Sequence, residues 1–139
     1  MMTITRKLTA AVTMIGIVGL VGMAGAQAAS ASTGADFKTW DTDHDGTLDL
    51  TEAKKAGEAK FDRLDSDHDG TIDKKESMGA ISKASFAKAD VDKDGTVDKS
   101  EYLNLVQAHF NAADTDHDGT VSESELNTPA GKSLARLLK

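Results

Sequence analysis

The acidic side chains of this chain are placed rather than massed. Of its 23 Asp and Glu residues, 19 fall at fixed positions in four twelve-residue segments that align without gaps. Positions 1, 3 and 5 are Asp41, Asp43 and Asp45 in the first segment and Asp65, Asp67 and Asp69 in the second. They are Asp90, Asp92 and Asp94 in the third, and Asp114, Asp116 and Asp118 in the fourth. Position 9 is Asp49, Asp73, Asp98 or Ser122, and position 12 is Glu52, Glu76, Glu101 or Glu125. Carboxylates at this density repel one another unless a cation joins them. Carboxylate oxygens are hard donors, so the cation they suit is a hard one. The chain has no cysteine, which removes thiolate sites and disulfides.

The rest of each segment fits a cation wrapped by its own loop. Position 6 is always glycine, which allows the turn that brings position 7 round. Position 7 then ligates through its backbone carbonyl: Thr47, Thr71, Thr96 and Thr120. The terminal Glu is long enough to bind bidentate. This pattern is similar to the calcium loop of EF-hands, matched four times. Position 8 is Leu48, Ile72, Val97 or Val121, and such residues suit a short strand bridge to a partner loop.

The elements that must hold these loops follow from the spacing. The loops start 24, 25 and 24 residues apart, leaving only 12, 13 and 12 residues between them. Twelve residues of helix span about 18 Å, so each interval has room for one helix that leaves one loop and enters the next. The expected fold class is all-α: a compact three-helix bundle with four EF-hand loops at its periphery, short β-bridges between paired loops and an extra C-terminal helix. Consecutive loops then sit at opposite ends of a helix, which predicts pairs 1/3 and 2/4. Phe37, Phe61, Phe86 and Phe110 each lie four residues before a loop and share a face with Trp40, Leu64, Ala89 and Ala113. Phe61 and Leu64, then Met78, Ile81 and Phe86, then Leu103, Val106 and Phe110 form the expected inner stripes. Gly57 and Gly79 weaken the first two helices by roughly 1 kcal/mol each. Thr128 can cap a last helix with Pro129 at its first position, and Leu134, Leu137 and Leu138 would dock it. With so few large side chains, metal binding would supply much of the folding free energy.

Residues 1–28 read as a signal peptide: Arg6 and Lys7, an apolar run from Leu8 to Ala24, then small residues that suit cleavage after Ala28 or Ala26. Residues 29–35 are expected to be a flexible N-terminus and 36–139 the four-loop metal-binding domain. Cleavage would place the protein in the periplasm or outside the cell, with no membrane association afterwards. It removes two positive charges and takes the net charge from −7 to −9. That balance argues against nucleic acid as a partner. His44, His68 and His117, at loop position 4, are expected to face solvent, and His109, in the third helix, to be a surface or boundary residue. No HExxH, GxSxG or phosphate-loop motif is present, so no enzyme is expected.

The chain resembles the lanmodulin family of small periplasmic lanthanide-binding proteins. The resemblance rests on the signal-like N-terminus, the four loops, their 12–13-residue spacing, and the strings Phe61-Asp62-Arg63-Leu64-Asp65, Glu101-Tyr102-Leu103 and Thr128-Pro129-Ala130-Gly131. It implies a three-helix core, metal-induced folding, up to four lanthanide(III) ions and a periplasmic metalloenzyme or transport partner. The chain departs at loop position 2, where a well-known member carries Pro and this chain has Thr42, Ser66, Val91 and Thr115. Five carboxylates leave a formal −3 around a divalent ion and −2 around a trivalent one, which favours the higher charge. The alternative is a Ca²⁺ buffer or sensor of the same fold.

Overall fold

The structure is a computed structural model that describes residues 28–139, with side chains from Gly34 onward. The expected signal peptide, but for its last residue, lies outside the described residues. Six helices and four very short strands follow in the order α1 (Ala28–Trp40), β1 (Thr47–Asp49), α2 (Leu50–Leu64), β2 (Thr71–Ile72), α3 (Lys83–Ala89), β3 (Val97–Asp98), α4 (Lys99–Ala113), β4 (Thr120–Ser122), α5 (Glu123–Leu126) and α6 (Pro129–Leu138). The fold is all-α with two small antiparallel strand pairs. α1 begins at Ala28 and runs through residues 29–35 to Trp40. Among the described residues, no helix is long and apolar enough to cross a membrane.

Local chemistry sets the helix ends. The position 9 side chain of loops 1, 3 and 4 caps α2, α4 and α5, and Glu at position 12 completes a capping box. At the other end, the N–H of each loop's first aspartate donates to the carbonyl of the phenylalanine four residues earlier, at 2.8–2.9 Å. The rings of those phenylalanines are buried, so each helix terminus is fixed both by its backbone and by the core.

Three helices do pack mutually as a bundle, but they are α2, α4 and α6. The third member is the C-terminal helix, not the segment between loops 2 and 3. Leu134, Leu137 and Leu138 dock it as expected, all 3% exposed or less. The segment between loops 2 and 3 does not form one helix. Turns run from Lys74 to Ala80, Gly79 adopts φ +84°, and Ser82 starts the seven-residue α3 by accepting from the Ser85 N–H at 3.0 Å. Met78, expected on an inner stripe, projects from that turn and is 79% exposed, while Ile81 and Phe86 are buried. In α4 the inward side chains include Tyr102 and Leu105 beside Val106 and Phe110, with Leu103 only half-buried.

The broken segment changes the loop pairing. β1 pairs with β4 and β2 with β3, so the loops pair 1/4 and 2/3 rather than 1/3 and 2/4. An unbroken helix separates the loops at its ends, as α2 separates 1 from 2 and α4 separates 3 from 4. The turn at Met78–Gly79 instead folds the chain back and brings loop 3 beside loop 2. α2 and α4 consequently run antiparallel. They approach closely at Gly57, where an added Cβ would lie 3.0 Å from a Val106 methyl. Phe61 and Tyr102 meet edge-on at 5.7 Å between ring centroids. The position 8 residues meet across the pairs, Leu48 with Val121 and Ile72 with Val97, and all four are fully buried.

Candidate metal centres

Each loop is shaped by its own side chains bonding back to its backbone. The position 3 carboxylate accepts from the position 5 N–H, as Asp43 does from Asp45 at 3.2 Å. The position 5 carboxylate accepts from both the N–H and the hydroxyl of the position 7 threonine, as Asp45 does from Thr47 at 2.8 and 2.7 Å. The same bonds recur in the other loops at Asp67, Asp92 and Asp116, and at Asp69, Asp94 and Asp118. The loop glycines sit at φ 87–93°. Position 4 is also left-handed, and there the residues are not glycine: His44, His68, Lys93 and His117 have φ of 59–61°. Such a conformation is uncommon for an L-residue, and histidine is among the types that tolerate it better. The three histidines are exposed as expected.

The carboxylates that converge can be stated loop by loop. Ligand oxygens of Asp41, Asp43 and Asp45 lie within 4.8 Å of one another, as do those of Asp90, Asp92 and Asp94, and of Asp114, Asp116 and Asp118. In loop 2 the group is Asp65, Asp67 and Glu76, with Asp69 outside it. The other position 12 glutamates, Glu52, Glu101 and Glu125, hold the backbone. One oxygen accepts from the position 2 N–H and the other from the position 9 N–H, at 2.6–3.2 Å. Glu76 makes the same pair of bonds, to Ser66 and Asp73. At position 9, Asp49, Asp73 and Asp98 accept from the position 12 N–H at 2.7–2.8 Å, so one oxygen of each is committed to the helix start.

Position 2 is the contributor that the ligand pattern does not mark. Thr42, Ser66 and Thr115 donate their hydroxyls to the position 12 carboxylate at 2.9 Å, and Val91 has no hydroxyl with which to do so. A hydroxyl residue at position 2 in three of four loops was the available signal.

The loop electrostatics combine crowded carboxylates with individual hydrogen bonds that favour ionisation. Asp43 accepts a bond from the Asp45 N–H that favours its ionised form. Yet burial and the neighbouring Asp45, Glu52 and Asp41 carboxylates outweigh it and raise its pKa. Asp45 and Asp94 are held below their ordinary value, first by the hydroxyl and then by the N–H of Thr47 and Thr96. Glu125 is pulled down to about 2, chiefly by the Ser122 N–H and against the opposing effect of burial. Asp41, Asp90 and Asp114 each bury an oxygen, Oδ1, that has no hydrogen-bond partner among the described residues. A buried carboxylate oxygen without a partner is costly unless a cation satisfies it. All three stand at position 1, among the converging oxygens. The donor set is all oxygen and carboxylate-rich, which fits a hard cation with six to eight ligands.

The EF-hand domain pair family matches residues 53–128, more than half of the chain. The chain belongs to that family. It is an EF-hand metal-binding protein with four candidate loops and room for up to four ions. A search of the curated proteins returns no match to it. The family match begins just after loop 1 and ends just after loop 4. Loop 1 repeats the same twelve-residue pattern and the same bonds, and it pairs with loop 4 through β1 and β4.

Proposed function

We propose that this EF-hand protein binds trivalent lanthanide ions in the periplasm, or outside the cell, and that binding drives its folding. One observation carries the reading: loops 1, 2 and 3 each carry five carboxylates, three of which bring oxygens within 4.8 Å of one another, and loops 1, 3 and 4 bury a position 1 oxygen that has no hydrogen-bond partner among the described residues. Crowding of this kind raises the proton affinity of Asp43 even though a backbone N–H is bound to it. A 3+ ion offsets that repulsion better than a 2+ ion of similar radius. Aspartates at 1, 3 and 5, the position 7 carbonyls, the position 9 side chains Asp49, Asp73, Asp98 and Ser122, and the position 12 glutamates would hold the ion. The signal-like residues 1–28 support export. The loop pattern itself also fits calcium, so a calcium buffer is the second reading.

Terbium is the direct probe, because Trp40 directly precedes Asp41 and can sensitise its luminescence. Terbium is titrated into the protein cut to residues 29–139 and then competed with calcium, while helicity is followed by circular dichroism. The expected result is folding with terbium at concentrations where calcium neither folds the chain nor displaces the probe. Full folding in micromolar calcium, with displacement at comparable concentrations, refutes the lanthanide reading.

A further inference from the structure

The four loops are not equally supported on their exit side. Glu52 and Glu101 stand in the first turns of 15-residue helices, so the bundle fixes their backbone directly. Glu125 stands in α5, which is four residues long and ends at Leu126. A single turn is not stable on its own. Something else must hold Glu125, and the contacts identify it. The Thr128 N–H and hydroxyl both donate to the Glu125 carbonyl, at 3.0 and 2.6 Å. Gly131 lies so close behind that a Cβ there would overlap the Glu125 carbonyl oxygen and the Leu126 Cα, and would come within 2.7 Å of the Leu126 carbonyl carbon. These are backbone atoms, so no side chain can swing away to make room.

α6 is in turn anchored along its length. Leu134, Leu137 and Leu138 are buried, and the Tyr102 hydroxyl donates to the Leu137 carbonyl at 2.8 Å in the core. At its end, Lys139 pairs with Asp36 at 2.7 Å, on the helix that enters loop 1. α6 thus reaches from the exit of loop 4 to the approach of loop 1, the two loops joined by β1 and β4.

We infer that α6 is a positioning element for ion binding: through Thr128 and Gly131 it sets the backbone of Glu125 and thereby the affinity of loops 1 and 4, leaving loops 2 and 3 untouched. The inference rests on the reading that loop 4 takes an ion. It assigns Thr128 and Gly131 a role that neither could have as a ligand.

The test uses the position 6 glycine amides Gly46, Gly70, Gly95 and Gly119, one NMR reporter per loop, in the protein from residue 29 titrated with lanthanum(III) and separately with calcium. In Gly131→Ala and Thr128→Ala the midpoints at Gly119 and Gly46 should weaken about fivefold to tenfold, the scale of a lost helix cap. Those at Gly70 and Gly95 should not move, and Thr128→Ser should restore the native values. If Gly131→Ala does not fold, Thr128→Ala and its serine rescue carry the test, since they add no atoms. Equal weakening at all four glycines, or none at Gly119, overturns the inference. If no glycine responds to either ion in the unmodified protein, the metal-binding reading itself fails, and the inference with it.

Discussion

Ser122→Asp isolates the charge argument behind ion choice. Ser122 is the only position 9 residue that is not an aspartate, and it occupies the same cap as Asp49 and Asp98. Aspartate and serine cap about equally well, so the exchange adds one negative charge to loop 4 while preserving the start of α5. The loss is the Ser122 hydroxyl bond to Glu125 Oε2 at 2.9 Å, which leaves that oxygen its bond from the Ser122 N–H at 2.9 Å. A carboxylate about 5 Å from the ion in a water-like dielectric contributes about 0.8 kcal/mol per unit of ionic charge. Screening at physiological salt removes about half of it. The remainder is about 0.9 kcal/mol for a divalent ion and about 1.3 kcal/mol for a trivalent one. Loop 4 should therefore bind calcium about 4.5-fold and lanthanum about ninefold more tightly, read at the Gly119 amide. The ratio of the two logarithms is three to two, and it survives errors in distance and dielectric because both cancel. Equal or larger gains for calcium would show that loop 4 does not choose ions by summed charge, and the case for trivalent ions would lose its physical basis.

Three further outcomes are expected. Leu48→Ala removes a fully buried side chain from the β1–β4 contact; it should cost about 3 kcal/mol in thermal or denaturant unfolding and weaken loops 1 and 4 together, whereas a response shared by loops 1 and 3 would contradict the pairing. Tyr102→Phe leaves the Leu137 carbonyl without its buried donor; it should cost about 1–2 kcal/mol and lower the melting temperature by about 5–10 °C, while Met78→Ser, at an exposed turn, should stay within about 0.5 kcal/mol of the parent. Acid should remove the helicity that the metal-free protein retains, through its position 12 glutamates: Glu52, Glu76 and Glu125 all have lowered pKa values when folded, so their contribution is complete above the ordinary 4.5 and is lost as pH falls toward the folded value, about 2 for Glu125. Helicity followed by circular dichroism should fall across that window, and a loss that is complete above pH 5 would exclude these groups as the cause.

The loops were legible because the demands on their residues are local. Asp at positions 1, 3 and 5, glycine at 6 and Glu at 12 each answer to a demand within twelve residues, and the strand contacts of Leu48, Ile72, Val97 and Val121 follow from position 8 alone. The pairing was not legible, because it depends on whether one interval stays helical. Residues 77–89 offered apolar residues at helical spacing and enough length for three turns. Gly79 and Ser82 each favour a break, but Gly57 stands in α2 without causing one. What separates the two glycines is tertiary: Gly57 lies where α2 meets Val106, and a close approach favours the residue without a Cβ. Gly79 has nothing near its missing Cβ and takes φ +84° instead. Local propensity weakens both sites alike, and only the packing partner decides which one bends. Tyr102 is absent from the expected inner stripe for a related reason. Its hydroxyl suggests a surface position until the free carbonyl near the end of α6 is available to receive it.

The residues proposed to bind the ion also start the helices, which ties folding to binding without any separate device. Position 9 caps the exit helix, and position 12 closes the capping box while reaching back to the N–H of position 2. A glutamate in that place joins the two ends of its loop and the first turn of its helix through one carboxylate. Across the two-stranded contacts, each loop also fixes the position of its partner. Weak helices suit such a system. α2 carries a glycine, α3 has seven residues and α5 has four, so these three have little propensity to form before the loops are ordered. A chain with stronger helices would fold whether or not the loops were filled, and its shape would then report nothing about the ion. Here the core is small and the loops are mutually repulsive. On the proposed reading, the free energy that orders the bundle comes in large part from the cation that relieves the carboxylates, and the step from open to folded chain would then report that cation's charge.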